Sequence, residues 1–465
     1  MTEDRKGLFG ELAVHDVPAR DGGEPRYVEA ERSTLVFERF EFDGLIGADH
    51  AARVVWAYVE RLDLSALYSA IRARAHTPGR PPPDPRVVLA LWLYACIEGV
   101  GSARQLERLT EEHNGFRWLR GGVPLNYHLL SDFRWQAAEV MDRLLTQGVA
   151  ALWLEKLVDL ASLSQDGVRI RASAGASSFR RLETLKRLLD EVRVRIVQLK
   201  QEIDSDPEAS TRRQRAARER VLREREESIS KALGALQELE AEQAATAEPK
   251  PPPPPEGPPP GSDEGKAAKG NARKKEPRWS TTDSQARVMR MPDSGWRPAY
   301  NVQLTADHET GVIVGVDIDT TGSDGGLMAP AVEQVEQRYK YRPNRWLADG
   351  GFTSLKDIIA LTRKGITVFC PLKPRRNPAC DPATPRPGDP PEIAAWRRRM
   401  VDDTEAGPES RMRRRAKHER INANFRRQGL QQFNVRGIAK VKAICLLHAL
   451  ANNLLAAGYL KTKRA

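Results

Sequence analysis

Apolar positions in this chain follow a helical period first, then a strand period, then a heptad seam, and finally strands and helices in alternation. From about Leu45 to Leu152 the repeat is helical. Pro81-Pro82-Pro83-Asp84-Pro85 stops one element and opens the next, with Asp84 suited to an N-cap and Pro85 to the first helical position. Val87 to Ile97 is then largely apolar, so this helix belongs in a core. Ser102 predicts the cap of a helix through Leu109. After the turn at Gly121-Gly122, Tyr127 to Arg134 predicts another amphipathic helix.

Around Leu163 to Ala172 the period falls to two. Asp166, Val168, Ile170 and Ala172 share one face, with Arg169 and Arg171 on the other. This predicts a strand with an acid on its inward face, and such a carboxylate needs a partner or a metal. Leu182, Leu185, Leu189, Val192, Ile196, Leu199 and Ile203 then repeat at alternating spacings of 3 and 4, a heptad seam. Leu222, Ile229, Leu233, Leu236 and Leu239 form a weaker one, and the pair predicts an antiparallel coiled-coil hairpin. A spacer or oligomerisation arm is its plainest use. Pro251 to Pro260 is nearly all proline and, with the charged run after it, predicts a flexible linker.

Strand patterning resumes at Ala299–Thr305 and Gly311–Asp319, a hairpin. A helix over Gly326–Lys340, a short strand over Asn344–Asp349, a helix over Leu355–Arg363 and a buried strand over Ile366–Cys370 follow. A Pro- and Arg-rich loop spans Lys373–Pro391, and a last helix runs from about Ile438 to Tyr459. With the hairpin removed, three antiparallel strands lead into alternating helices and strands, which indicates an α/β domain on a mixed sheet. The predicted divisions are a loose segment 1–35, a helical domain 36–152, the first part of the α/β core 153–175, the hairpin 176–245, the linker 246–278, the rest of the core 279–430 and a C-terminal helical segment 431–465.

The net charge of +11 favours a polyanionic partner, nucleic acid before membrane surface. The excess is local: from Arg397 onward there are 17 Lys/Arg against five Asp/Glu. Cys96, Cys370, Cys380 and Cys445 lack metal-ligand spacing and are expected to be reduced thiols of a cytosolic protein. The N-terminus has no apolar signal core, and the longest apolar run, Val87–Val100, is too short to span a bilayer.

Three acids stand out by context. Asp166 lies on the first strand. Asp349 ends a later parallel strand, where α/β sheets place ligands. Glu419 lies in the basic stretch Met412–Arg426, where Met412, Arg415, Glu419 and Arg426 fall within about 60° of one helix face and Ile421 and Phe425 point away. Three carboxylates from separate elements can hold two divalent cations, and oxygen ligands select Mg²⁺ or Mn²⁺. Such a pair activates a water or hydroxyl against a phosphodiester. Asp317, Asp319 and Asp324 compete with Asp349 for the middle role. Each acid alone also reads as ordinary turn or surface chemistry.

In their order these segments resemble bacterial insertion-sequence DDE transposases, the group with a Y-x2-R-x3-E-x6-K signature around the third acid. Arg415 and Glu419 match it, Arg426 stands where Lys is expected, and Met412 stands where Tyr is expected. Gln165-Asp166-Gly167-Val168, Tyr300-Asn301-Val302-Gln303, Ala348-Asp349-Gly350-Gly351-Phe352, Phe433-x2-Arg436-Gly437 and Ala451-x-Asn453-Leu454 resemble further family segments. Ser102-Ala103-Arg104 and Asp132-Phe133-Arg134 look like the helical domain these proteins carry ahead of the core.

The resemblance implies a ribonuclease-H-like core and a reaction that cuts the ends of a mobile element and joins them to target DNA. Asp166, Asp349 and Glu419 would hold two Mg²⁺ or Mn²⁺ ions, and Arg415 and Arg426 would clamp phosphates. Tyr300, Asn301, Gln303, Arg104 and Arg134 are further candidates for DNA contact. The implied partners are element-end and target duplexes and a second copy in a synaptic homodimer, in the bacterial cytoplasm at the nucleoid. Two other readings stay open: a DNA-binding relic that has lost activity, favoured by Met412, and a scaffolding protein built on the coiled coil.

Overall fold

The structure, a computed structural model, describes residues 41–71, 73, 81–205, 211–245, 277–372, 383–400 and 408–464. The expected loose N-terminus, nearly all of the proline linker and the first half of the Lys373–Pro391 loop lie outside these residues.

Among the described residues the first α-helices are α1 (Ala51–Val59), α2 (Ser65–Ser69), α3 (Pro85–Ile97), α4 (Ala103–Glu112), α5 (Asn114–Arg120), α6 (Tyr127–Gln136) and α7 (Ala138–Leu154). Their starts follow local chemistry. Asp84 caps α3 by accepting from Arg86 N, with Pro85 at the first position, and Ser102 caps α4 by accepting from Gln105 N. Nearly every residue of α3 is buried, as its unbroken apolar run requires.

The sheet has six strands: β1 (Ser162–Arg171), β4 (Arg287–Arg290), β5 (Trp296–Asp307), β6 (Ile313–Asp319), β7 (Arg345–Leu347) and β8 (Thr367–Phe369). Two short strands, β2 (Phe179–Arg180) and β3 (Trp279–Ser280), pair separately. In the main sheet β5 lies antiparallel to β1, and β1, β7 and β8 run parallel. The far edge of β5 is shared by β4 along Trp296–Ala299 and β6 along Asn301–Ala306. The order β6-β5-β1-β7-β8 is a mixed sheet, as the alternating strands and helices predict.

Helices cover both faces. On one, Leu163, Trp346 and Val368 pack with α10 (Met328–Tyr339), α11 (Leu355–Arg363) and α12 (Pro391–Arg399). On the other, Val168, Ile170, Val302, Leu304 and Val316 pack with Ile421 and Phe425 of α13 (Pro408–Arg427) and with α14 (Ile438–Arg464). Helix α14 has the length and apolarity to cross a bilayer, but it is the core helix here: it packs on β6, α3, α6 and α7, and nearly all of Val441–Leu454 is buried.

Several segments that carried the family resemblance turn out to brace this architecture. Asn453 accepts from Ile313 N at 2.8 Å and donates to Ile313 O at 2.7 Å, tying α14 to β6. Arg436 donates to Ser173 O at 3.3 Å. Gly437 adopts φ +87°, a conformation that suits glycine, and its N–H donates to Asp283.

The chain leaves the core through β2 and returns through β3, which pair antiparallel at Phe179–Ser280 and Arg180–Trp279. Between them lie α8 (Leu182–Ser205) and α9 (Arg212–Ala245). Leu185, Leu189 and Val192 of the predicted first seam pack with Ile229, Ala232, Leu236 and Trp279.

Candidate active site

Strands β1 and β7 bring two of the acids together. Ser164 pairs with Leu347 as the last rung of the parallel ladder; Asp166 lies two residues further along β1, and Asp349 two residues past Leu347, just beyond the end of β7. Both acids therefore follow the same end of the β1–β7 ladder. Asp349 Oδ1 accepts from Gly351 N at 2.7 Å, which caps the short turn Gly350–Phe352. The Asp349 carbonyl accepts from Cys370 Sγ at 3.0 Å. Both acids are partly exposed.

Glu419 arrives on α13. His418, Ile421 and Phe425 are buried at spacings of 3 and 4, so the opposite face of the helix, with Glu419 and Arg426, is exposed. Two contacts bind this helix to β1. His418 Nε2 lies 2.7 Å from Ser164 Oγ, and Asn422 Nδ2 donates to Asp166 Oδ2 at 3.1 Å. Asn422 is one residue past Ile421 and three past Glu419, hence on the same side of the helix as the acid. Sequence reasoning passed over both His418 and Asn422. The available signal was an amide one turn beyond a candidate acid.

Other predicted residues fall elsewhere. Tyr300 is fully buried: its hydroxyl donates to Asp283 at 2.8 Å and its ring meets the edge of Phe433. That corrects the expectation of a DNA contact, because a phenol paired with a buried carboxylate has no path to a phosphate. Burial and Asp283 both push the Tyr300 hydroxyl pKa up. Asn301 and Gln303 are also buried, and both donate to Asp324 Oδ1, at 2.6 and 3.0 Å. They lie close to the acids but are turned into the fold. Arg134 is 6% exposed, sits over the Trp92 ring at 4.3 Å and donates to Gly101 O at 2.9 Å. It is a packing residue, not a DNA contact, and burial pulls its pKa down to about 10. Arg104 is exposed over the Tyr127 ring at 4.8 Å. The side chains of Met412 and Arg415 lie outside the described part of α13.

A basic cleft of about 440 Å³ is lined by Arg169, Arg171, Arg297 and Arg426, together with Val168 and Ile170, which follow Asp166 on β1. Asp293 at its rim pairs with Arg297 at 2.6 Å, and Arg169 donates to the carbonyls of Arg290 and Gly322. The remaining positive charge suits a phosphate backbone.

The three acids offer hard oxygen donors, the set that suits Mg²⁺ or Mn²⁺. A carboxylate has about four acceptor positions, so the bonds that Asp166 and Asp349 make are compatible with a cation. Among the described residues no three His, Cys, Asp or Glu side chains stand close enough together to hold an ion as they lie.

Two family models match the chain. One, described as a transposase DDE domain, covers residues 275–454, which hold Asp349 and Glu419. The other, a transposase domain (DUF772), covers residues 40–136 and so takes in α1 to α6. No curated protein and no solved structure matches it. A transposase helical domain ahead of a mixed sheet that carries a transposase DDE domain makes this chain an insertion-sequence DDE transposase.

Proposed function

We propose that this transposase cleaves DNA strands at the ends of its insertion sequence and joins them to target DNA, with Asp166, Asp349 and Glu419 as its catalytic acids. The observation that carries the reading is the bond from Asn422 to Asp166, which draws the helix of Glu419 onto the strand beside Asp349. The three acids would hold two Mg²⁺ or Mn²⁺ ions. Bound there, such cations lower the pKa of an attacking water or hydroxyl and neutralise a leaving oxygen.

The protein's own residues set where this happens. Asn422 and His418 fix α13 against β1, and this would bring Glu419 towards Asp166 in one orientation. Arg426, with Arg171 in the cleft, would hold flanking phosphates through charge and orientation, and Arg415 on the same helix would add to this. Arg104 would touch DNA from the helical domain. The α8–α9 pair would be an antiparallel coiled-coil arm that spaces or pairs two copies in a synaptic homodimer.

The test is a strand-cleavage assay on linear duplex DNA that ends in the inverted repeats bracketing the coding sequence, with Mg²⁺. Wild type is expected to nick at the repeat boundary and Asp349→Ala to leave the duplex intact. Equal behaviour of the two proteins would refute the catalytic assignment.

A further inference from the structure

On the face of the sheet opposite Asp166, a line of hydrogen bonds crosses three strands. Trp346 Nε1 on β7 donates to Gln165 Oε1 on β1 at 3.2 Å. Gln165 Nε2 donates to Gln303 Oε1 on β5 at 2.9 Å, and Gln303 Nε2 donates to Asp324 Oδ1 at 3.0 Å. Asn301 Nδ2 reaches the same oxygen at 2.6 Å, and Arg169 lies 3.7 Å from Asp324 Oδ2. Every donor along this line points towards Asp324, so its negative charge polarises the chain and selects the orientation of each amide.

The carboxylate of Asp324 also needs two glycines. A Cβ on Gly167, the residue after Asp166, would lie 2.5 Å from Asp324 Oδ1. A Cβ on Gly351, two residues after Asp349, would lie 3.4 Å from Asp324 Oδ2 and 2.9 Å from Asp349 Oδ1. Asp324 thus fills the space beside the glycines that follow Asp166 and Asp349, while bonded to β5. Its own loop, between β6 and α10, is held by Gln165 Nε2 donating to Leu327 O at 3.0 Å.

We propose that Asp324 is a positioning residue that sets the spacing of Asp166 and Asp349, and so the affinity of their site for divalent cations. The proposal rests on the catalytic reading above. It assigns Asp324 a role through its acceptor oxygen, which takes bonds from Asn301 and Gln303. An asparagine at 324 keeps an oxygen that can accept from Asn301 and Gln303. An alanine leaves two buried amides without that acceptor and lets the strand ends shift.

The experiment measures cleavage of the same end-repeat duplex against Mg²⁺ concentration for wild type, Asp324→Asn, Asp324→Ala and Asp349→Asn, at a temperature where circular dichroism shows all four folded. Asp324→Asn is expected to stay within about threefold of wild type, and Asp324→Ala to raise the half-saturating Mg²⁺ about tenfold with partial recovery at high Mg²⁺, the scale seen when a ligand's supporting partner is lost. Recovery by metal is a readout that a general loss of stability would not produce. Asp324→Asn as inactive as Asp349→Asn would overturn the proposal and make Asp324 a catalytic acid. An Asp324→Ala protein with unchanged Mg²⁺ dependence would overturn it too. Wild-type activity in Asp349→Asn would instead defeat the underlying catalytic reading, whatever the Asp324 variants do.

Discussion

Asn422 donates to Asp166 Oδ2 from one helical turn beyond Glu419, and so couples the position of the third candidate acid to that of the first. The bond is neutral-to-charged, a class that contributes about 1.5–3 kcal/mol. Asn422→Ala is expected to lower the cleavage rate about tenfold while leaving the melting temperature within a few degrees, since Asn422 is only partly buried. Asn422→Asp places a second carboxylate against Asp166 and raises the pKa of the pair. Its pH–rate profile should move to higher pH. An unshifted profile with an unchanged rate would separate Asn422 from the site.

Ser164 and His418 form the second tie between β1 and α13. Both are buried, so either substitution removes a hydrogen bond made away from water, although Ser164 Oγ also donates to Ala306 O at 3.4 Å. Ser164→Ala and His418→Ala should each destabilise the fold by about 1–3 kcal/mol in urea unfolding. In the double variant the losses should fall short of their sum by about 1 kcal/mol, the coupling of a direct contact. Strict additivity would show that the bond is not made in solution.

Arg134 and Arg426 should separate cleanly. Arg134 lies over Trp92 and Arg426 faces the basic cleft. Arg134→Ala is expected to cost about 2–4 kcal/mol of stability, with DNA affinity retained at temperatures where the variant is folded. Arg426→Ala should leave stability alone, weaken binding to duplexes of any sequence and reduce the salt slope of log affinity by about 1. Fluorescence anisotropy across a salt series reads both effects.

His448 is buried against Phe425 and Gln428, and burial lowers its pKa from 6.5 to about 4. The folded state therefore keeps the imidazole neutral where the unfolded chain takes up a proton. Its contribution to stability is complete above about pH 6.5 and is lost as pH falls towards 4, roughly 3 kcal/mol in all. The difference in unfolding free energy between wild type and His448→Gln should shrink by that order across this window. A pH-independent difference would contradict the assignment.

Much of the fold was legible in local pattern. The two-residue period of β1, the hairpin pattern of β5 and β6, and the Asp84–Pro85 start of α3 are local signals, and each element forms where they lie. Strand β4 escaped because it is four residues long, begins and ends in arginine, and buries only Met289. Helix α12 escaped behind Pro390-Pro391, although Ile393, Trp396 and Met400 repeat at 3 and 4 and are all buried. The site was legible in part. The acids stand out by their place along the chain, but the polar residues of β5 read in sequence equally as a DNA-facing edge and as packing. Their partners decide between the two: Asp283 and Asp324 lie about 20 residues away in sequence, and only the sheet register brings them to Tyr300, Asn301 and Gln303. Arg134 failed likewise, since a helix-surface arginine and one stacked on a buried tryptophan look the same along the chain.

The most direct measurement is the single-turnover cleavage rate of Asp166→Asn, Asp349→Asn and Glu419→Gln on the end-repeat duplex, alongside each variant's affinity for the same DNA. Losing a supporting partner costs roughly 10–100-fold, so losing a metal-binding carboxylate itself should cost at least about 100-fold, with affinity held within about threefold. Any one of the three variants that binds the duplex and still cuts at the wild-type rate would contradict the account.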